Sequence, residues 1–250
     1  MTQLSLNEAR ELLFSSDAKY VFQELSSIYY DNFSGELAIE PYMTCGCLAV
    51  KGDAIWHIHA ISTESDLFSA IDEVKGLMDP DTEKLMVLTW NKVPEELADK
   101  RGAYKFARGY LPYSDQSVRR LTLEDDEQIR ACCAYDPEDN QIGQSMANDF
   151  FAHYKDFLHD ADAINLGLFV ENRLVGFAQA IEQKGLGFST VNIYVNRTQR
   201  KKGYAKRLLS ALCASSENMT YCYSCVKTNL ASMNTAKSCG FQFKGAYLMI

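Results

Sequence analysis

No stretch of the chain approaches the roughly 18 consecutive apolar residues of a membrane-spanning helix. The amino terminus, Met1-Thr2-Gln3-Leu4-Ser5-Leu6-Asn7-Glu8, also lacks the basic segment followed by an apolar one that marks a secretory leader. These absences predict a soluble, cytoplasmic protein with no membrane partner. Cysteine is too sparse for a disulfide scaffold: eight in 250 residues, set in apolar stretches such as Ala131-Cys132-Cys133-Ala134, read as reduced core thiols. Cys222 and Cys225 spell C-x-x-C, but no second pair follows, and residues three apart on a strand face opposite ways. His57 and His59 share a strand face without a third ligand nearby in sequence, so no metal is expected. Positive charge is also in deficit. A net charge of −8 disfavours nucleic acid as a general partner and suits a cationic substrate.

What is present is enough apolar material, 47% of residues with 12% aromatic, to bury a sizeable core. A length of 250 exceeds the common single-domain size of about 100–150 residues, which predicts two domains. No low-complexity linker separates them. The polar stretch Pro112-Tyr113-Ser114-Asp115-Gln116 is the best boundary, giving domains 1–116 and 117–250.

The second domain reads as an α/β (α+β) fold with a mixed sheet flanked by helices. Val118–Leu123 alternates as a strand, and Glu124-Asp125-Asp126 places acids at the start of a helix through Cys133. A second helix fits Gln144–Leu158. Strands follow at Ile164–Val170, Leu174–Glu182 and Ser189–Val195, the first two joined by a turn at Glu171-Asn172-Arg173. A helix over Gly203–Ser216 then carries Ala205, Leu208, Leu209, Leu212 and Cys213 on one face. Strand Tyr221–Val226, a helix from Asn229 to Ser238 ended by Gly240, and a strand from Phe241 complete the order. The first 115 residues repeat part of it: strands Cys45–Val50 and Ile55–Ala60 around a Gly52-Asp53 turn, a helix bearing Leu67, Phe68, Ile71, Val74 and Met78, strand Leu85–Trp90, and a helix opened by Pro94. That half is expected to be a degenerate copy of the same unit.

Against the acidic background, the eleven residues from Arg197 to Arg207 hold six bases and no acid. They lie where a strand exits into a helix. A helix amino terminus offers unpaired N–H groups and a partial positive charge, and Gly203 lets an anion approach closely, so this is a phosphate-ready junction. The spacing Arg200, Gly203, Ala205 resembles the Q/R-x-x-G-x-G/A signature of the GNAT superfamily of acyl-CoA-dependent N-acyltransferases. Asn229, Ser232 and Gly240-Phe241 resemble its later N-x-x-A/S … G-F pattern. The resemblance covers the carboxy-terminal half, about residues 117–250.

The resemblance implies acetyl-CoA as cofactor. Its pyrophosphate would lie on the N–H groups of Lys201, Lys202, Gly203, Tyr204 and Ala205 beside Arg200, and its pantetheine arm would pair with the backbone of Ile193, Tyr194 and Val195. Asn229 would hold the arm, although a plain helix N-cap explains that residue as well. The matching junction of the first half, Ile61-Ser62-Thr63-Glu64-Ser65, has neither glycine nor base, so one cofactor per chain is expected.

Two departures stand out. Many members of the superfamily carry a Tyr seven residues after the motif Asn to protonate the departing thiolate, and this chain has Ala236 there. Others carry a Glu early in the strand before the phosphate loop, where this chain reads Phe188-Ser189-Thr190. Glu182 is the candidate base, with an exposed strand-end carboxylate as the alternative. The acids Asp136-Pro137-Glu138-Asp139 and the aromatics Phe150, Phe151 and Tyr154 are candidate walls for a cationic acceptor, or else a solvated loop and a core helix face. The expected function is acetyl transfer from acetyl-CoA to a small-molecule or peptide primary amine, in a ternary complex without an acyl-enzyme. The alternative is a non-catalytic acyl-CoA-binding sensor. The identity of the acceptor and the oligomeric state are not legible in the sequence.

Overall fold

The computed structural model describes residues 1–15, 40–52, 54–62, 64–134, 136–139, 141–183 and 187–250. Asp53, part of an expected turn, and Thr63, part of the first half's expected junction, lie outside them. The chain forms two compact units, Met1–Phe106 with Ser224–Leu230 and Phe243–Ile250, and Ala107–Tyr223 with Ala231–Gln242.

In the first unit the strands β1 (Thr2–Gln3), β2 (Glu40–Thr44), β3 (Cys47–Lys51), β4 (Ile55–Ala60), β5 (Lys84–Trp90), β12 (Gln242–Met249) and β6 (Arg101–Arg108) lie side by side in that order. Strands β2, β3 and β4 form an antiparallel meander, and β4 then runs parallel to β5. Helix α1 (Leu6–Phe14) is opened by a reciprocal capping box between Ser5 and Glu8. Helix α2 (Leu67–Lys75) makes the crossover from β4 to β5 and buries Leu67, Ala70, Ile71 and Val74. The strand expected from Cys45 begins at Cys47, because Cys45 and Gly46 both take positive φ, 48° and 73°, and form the two-residue turn between β2 and β3. Pro94 precedes a single 3-10 turn, Glu95–Leu97, rather than a full helix. The carboxy-terminal strand β12, continuous in sequence with the second half, pairs antiparallel with β5 of the first unit, Gly245 opposite Trp90 through Met249 opposite Met86.

In the second unit the order is β11 (Thr220–Val226), β10 (Phe188–Val195), β9 (Arg173–Gln183), β8 (Ala163–Val170) and β7 (Val118–Arg120). Again an antiparallel meander, β8-β9-β10, is followed by a parallel partner, here β11. Glu171 and Asn172, at φ 50° and 61°, make the tight turn between β8 and β9. Gly176 on β9 is required by contact: a Cβ there would sit 2.5 Å from the carbonyl oxygen of Tyr194 on β10. Helices α3 (Asp126–Cys132) and α4 (Gln141–His159) cover one face, where Ile129, Phe150 and Tyr154 cluster with Phe177 and Tyr194. Helix α5 (Tyr204–Cys213) packs on β8, β9 and β10. Its buried stripe is Leu208, Leu209, Leu212 and Cys213, as the helical spacing requires, and each Leu contributes about 1.5–3 kcal/mol by leaving water. Helix α6 (Leu230–Ser238) ends at Gly240, φ 81°.

Candidate functional site

The junction from β10 to α5 is built by local chemistry. After Val195 the Asn196 side chain accepts from the Thr198 N–H at 3.1 Å and donates to the Cys132 carbonyl at 3.2 Å, which starts the 3-10 turn Arg197–Gln199. Arg200 is extended, Lys201 takes φ 65° and Gly203 takes φ 79°, a left-handed conformation in which glycine carries no side-chain penalty. Gly203 is the N-cap of α5, and no side chain caps it. A Cβ built on Gly203 would meet nothing within 4 Å, so the space before the first turn of α5 is open. Uncapped N–H groups at the positive end of a ten-residue helix, with free space before them, fit a phosphate-bearing ligand.

The arginines of this loop are committed internally. The Arg200 guanidinium donates two bonds to Asp139, at 2.6 and 2.7 Å, and one from Nε to the Val195 carbonyl at 2.9 Å. Arg197 donates to Asp136 at 2.7 Å and pairs with Glu138 at 2.6 Å. Arg207 holds Asp115 in a two-bond fork at 2.6 and 2.8 Å, which pulls the Asp115 carboxyl down to about 2. The three lysines differ: Lys201, Lys202 and Lys206 are exposed, and none forms an ion pair among the described residues. Lys202 donates to Gln199 at 2.8 Å. Positive charge left for an anion therefore comes from lysines and backbone, while the arginines shape the loop.

The expected arm-binding residues lie on β10. Ile193, Tyr194 and Val195 pair with Ala178, Phe177 and Gly176 of β9. On the other side, β10 pairs with β11 only from Phe188 opposite Thr220 to Val191 opposite Tyr223. From Asn192 to Val195 that edge has no strand partner among the described residues; strand alternation turns the Ile193 and Val195 backbone toward it, the Val195 carbonyl being taken by Arg200, so the Ile193 groups and the Val195 N–H face the space an extended ligand could use. Asn229 directly precedes α6, donates its N–H to the Val226 carbonyl at 2.8 Å, and belongs to the first unit.

Glu182 sits opposite Ser189, three residues before Asn192 along β10, or about 10 Å at the usual strand rise. Strand alternation puts it with Ala178 and Ala180, on the face away from Gln179. The acids expected to line an acceptor instead hold the loop arginines. Phe150 and Tyr154 are core residues, 3% exposed each, with Phe150 stacked 3.8 Å from Phe177. Ala236 is fully buried and its carbonyl accepts from the Phe241 N–H, so a Tyr would not fit there without displacing the core. Cys222 and Cys225 are buried free thiols, and no group of metal-ligating side chains occurs among the described residues.

One constellation was missed by sequence reasoning. Asn192, Gln179 and Asn165 stand in register across β10, β9 and β8. Asn192 Nδ2 donates to Gln179 Oε1 at 3.3 Å, Gln179 Nε2 to Asn165 Oδ1 at 2.9 Å, and Asn165 Nδ2 to the Phe157 carbonyl of α4 at 2.9 Å. Gln179 and Asn165 are 2% and 5% exposed, whereas Asn192 is open to solvent. The available signal was a carboxamide in the middle of each of three apolar strands, but aligning them needs the register.

A family model described as the acetyltransferase (GNAT) family matches residues 127–241. Residues 127–241 are a GNAT acetyltransferase domain. Solved structures of similar fold include a GNAT-family acetyltransferase from Colwellia psychrerythraea, with TM-score 0.60, 11% identity and coverage of 100% of this chain and 98% of the other. A tandem GNAT protein from the clavulanic acid biosynthesis pathway, solved without acetyl-CoA, gives TM-score 0.51 and 9% identity, covering 99% and 96%. A conserved protein of unknown function from Staphylococcus epidermidis gives TM-score 0.51 and 12% identity, covering 91% and 96%. No curated protein matches the chain. The GNAT match supports acyl transfer from acyl-CoA in general. No helix among the described residues is long and apolar enough to cross a membrane.

Proposed function

We propose that the protein is an N-acetyltransferase that moves acetyl from acetyl-CoA to a primary amine by direct attack. The carrying observation is the continuous path from the unpartnered edge of β10, Asn192–Val195, into the uncapped terminus of α5. Acetyl-CoA pyrophosphate rests on the N–H groups from Lys201 to Ala205 with lysine charge around it, and the pantetheine arm runs along Ile193, Tyr194 and Val195, where its amides meet the edge-facing groups of Ile193 and the Val195 N–H. The part given to Asn229 rests on the motif spacing. Cytoplasmic location and the division at 116/117, with a degenerate GNAT copy in the first half, belong to the same reading. The tandem GNAT neighbour supports the latter by fold.

In the reaction the deprotonated amine nitrogen attacks the thioester carbon, the C–N bond forms, the C–S bond breaks and CoA leaves as thiolate. The ammonium gives one proton to water before attack, and the nitrogen of the tetrahedral intermediate loses a second as the C–S bond breaks, to water or to the departing thiolate, whose thiol-like pKa near 8.5 also lets it leave unprotonated. Glu182 sits opposite Ser189, about 10 Å along β10 from the start of the unpartnered edge, so water serves as base in this reading. Holding the two reactants together supplies a share of the acceleration that is separate from any acid or base. The rate should rise with pH as the amine deprotonates. Mass spectrometry of products from a broad amine and peptide panel, run up to about pH 9, tests this. Tight acetyl-CoA binding without any acetylated product would favour the sensor instead.

A further inference from the structure

The three-carboxamide ladder has a fixed direction. A backbone carbonyl can only accept, so Asn165 must turn its Nδ2 to Phe157 and its oxygen to Gln179. Gln179 must then donate to Asn165 and offer its own oxygen to Asn192. Each amide orientation follows from the one behind it, and reversing any member would face oxygen to oxygen or leave a buried N–H unpaired. At the solvent end Asn192 has spent one Nδ2 hydrogen, and its Oδ1 receives no donor among the described residues. The oxygen is thus held outward by a chain anchored in α4.

Asn192 is also the residue at which β10 loses β11 as partner. Its side chain lies on the α3–α4 face, beside Tyr194 and away from α5. We propose that Asn192 Oδ1 accepts an N–H from the acyl-acceptor amine, with Gln179 and Asn165 as positioning residues behind it, an inference that rests on the transferase reading above. The chemistry suits a nucleophile. A hydrogen bond from the amine to a fixed oxygen leaves its lone pair free to be aimed at the thioester, and a neutral carboxamide does not favour the unreactive ammonium as a carboxylate would.

The test uses the full chain and the amine found active in the panel. Asn192→Ala should raise the KM for amine about tenfold or more while the Kd for acetyl-CoA, by calorimetry, stays within twofold. Gln179→Met should weaken amine use in the same direction without touching the ligand. Asn192→Asp should move the rise of kcat/KM to higher pH, because a carboxylate holds the amine protonated; a purely structural role would leave that profile in place. Unchanged kcat/KM for amine in Asn192→Ala, an unmoved profile in Asn192→Asp, or a loss confined to acetyl-CoA affinity overturns the inference while wild-type activity keeps the transferase reading alive. A wild type that binds acetyl-CoA yet acetylates nothing removes both.

Discussion

The two units contain the same strand-helix-strand crossover with opposite fittings. In the first, β4 pairs with β5 from Ile55 to His59, five of its six residues, and the helix that follows is capped by Asp66, whose carboxylate accepts from the Ser69 N–H at 3.1 Å. In the second, β10 pairs with β11 over four of its eight residues, and the helix begins at an uncapped, left-handed Gly203. The first crossover supplies its own anion to the helix terminus and closes its strands. The second leaves the helix terminus uncapped and part of the strand edge unpaired, groups that the proposed cofactor, an anion with an extended amide-bearing arm, would satisfy. A built-in carboxylate and a ligand phosphate are alternative solutions to one electrostatic requirement.

Converting one fitting into the other gives the largest expected effect. Gly203→Asp places a carboxylate where the phosphate would lie, at a position whose positive φ Asp tolerates better than most residues. CoA affinity measured by calorimetry should fall by about 100-fold or more, roughly 2.7 kcal/mol. Gly203→Asn, similar in shape and neutral, should lose much less. Equal losses would mean that shape rather than charge governs the site.

The next effect concerns the prop under the open loop. The Asp139 side chain is fully buried and holds Arg200 through two bonds, so Asp139→Ala should cost about 1.5–3 kcal/mol in urea unfolding. A midpoint unchanged from wild type would show that the loop holds its shape without that pair. In the first unit, Asp66→Ala should lower the urea midpoint slightly as a lost cap and leave CoA binding untouched. Any change in CoA affinity there would contradict the division of roles between the two crossovers.

The last effect is acid-specific. The Arg207 fork holds the Asp115 carboxyl down to about 2. A depressed carboxyl contributes stability that is present above its unfolded value near 3.9 and is lost as pH falls through about 2. Asp115→Asn should therefore be less stable than wild type at pH 5, with the difference shrinking between about pH 4 and pH 2. A gap that persists at pH 2 would assign the effect to packing.

Most elements of the second unit were legible because their patterns are local: Leu208, Leu209 and Leu212 at helical spacing, the apolar strands, and the basic run broken by Gly203. Strand β6, Arg101–Arg108, was not, since its alternation is interrupted by Arg101, Lys105 and Arg108. The strand-to-helix junction at Gly203 was legible, yet its bases were read as a pool of charge. Arg197, Arg200 and Arg207 are spent on Asp136, Asp139 and Asp115, carboxylates 61 to 92 residues away.

The sequence by itself determined the α/β order of elements, the helix terminus at Gly203 and the resemblance that marks residues 200–241, because capping, periodicity and turn chemistry act over a few neighbouring residues. Tertiary structure alone decided which charges remain free, where β12 pairs, that β10 parts from β11 at Asn192, and that three scattered carboxamides form one directed chain. Those features depend on strand register and on contacts between residues distant in sequence, and a one-residue slip in register would send every one of those side chains to the other face.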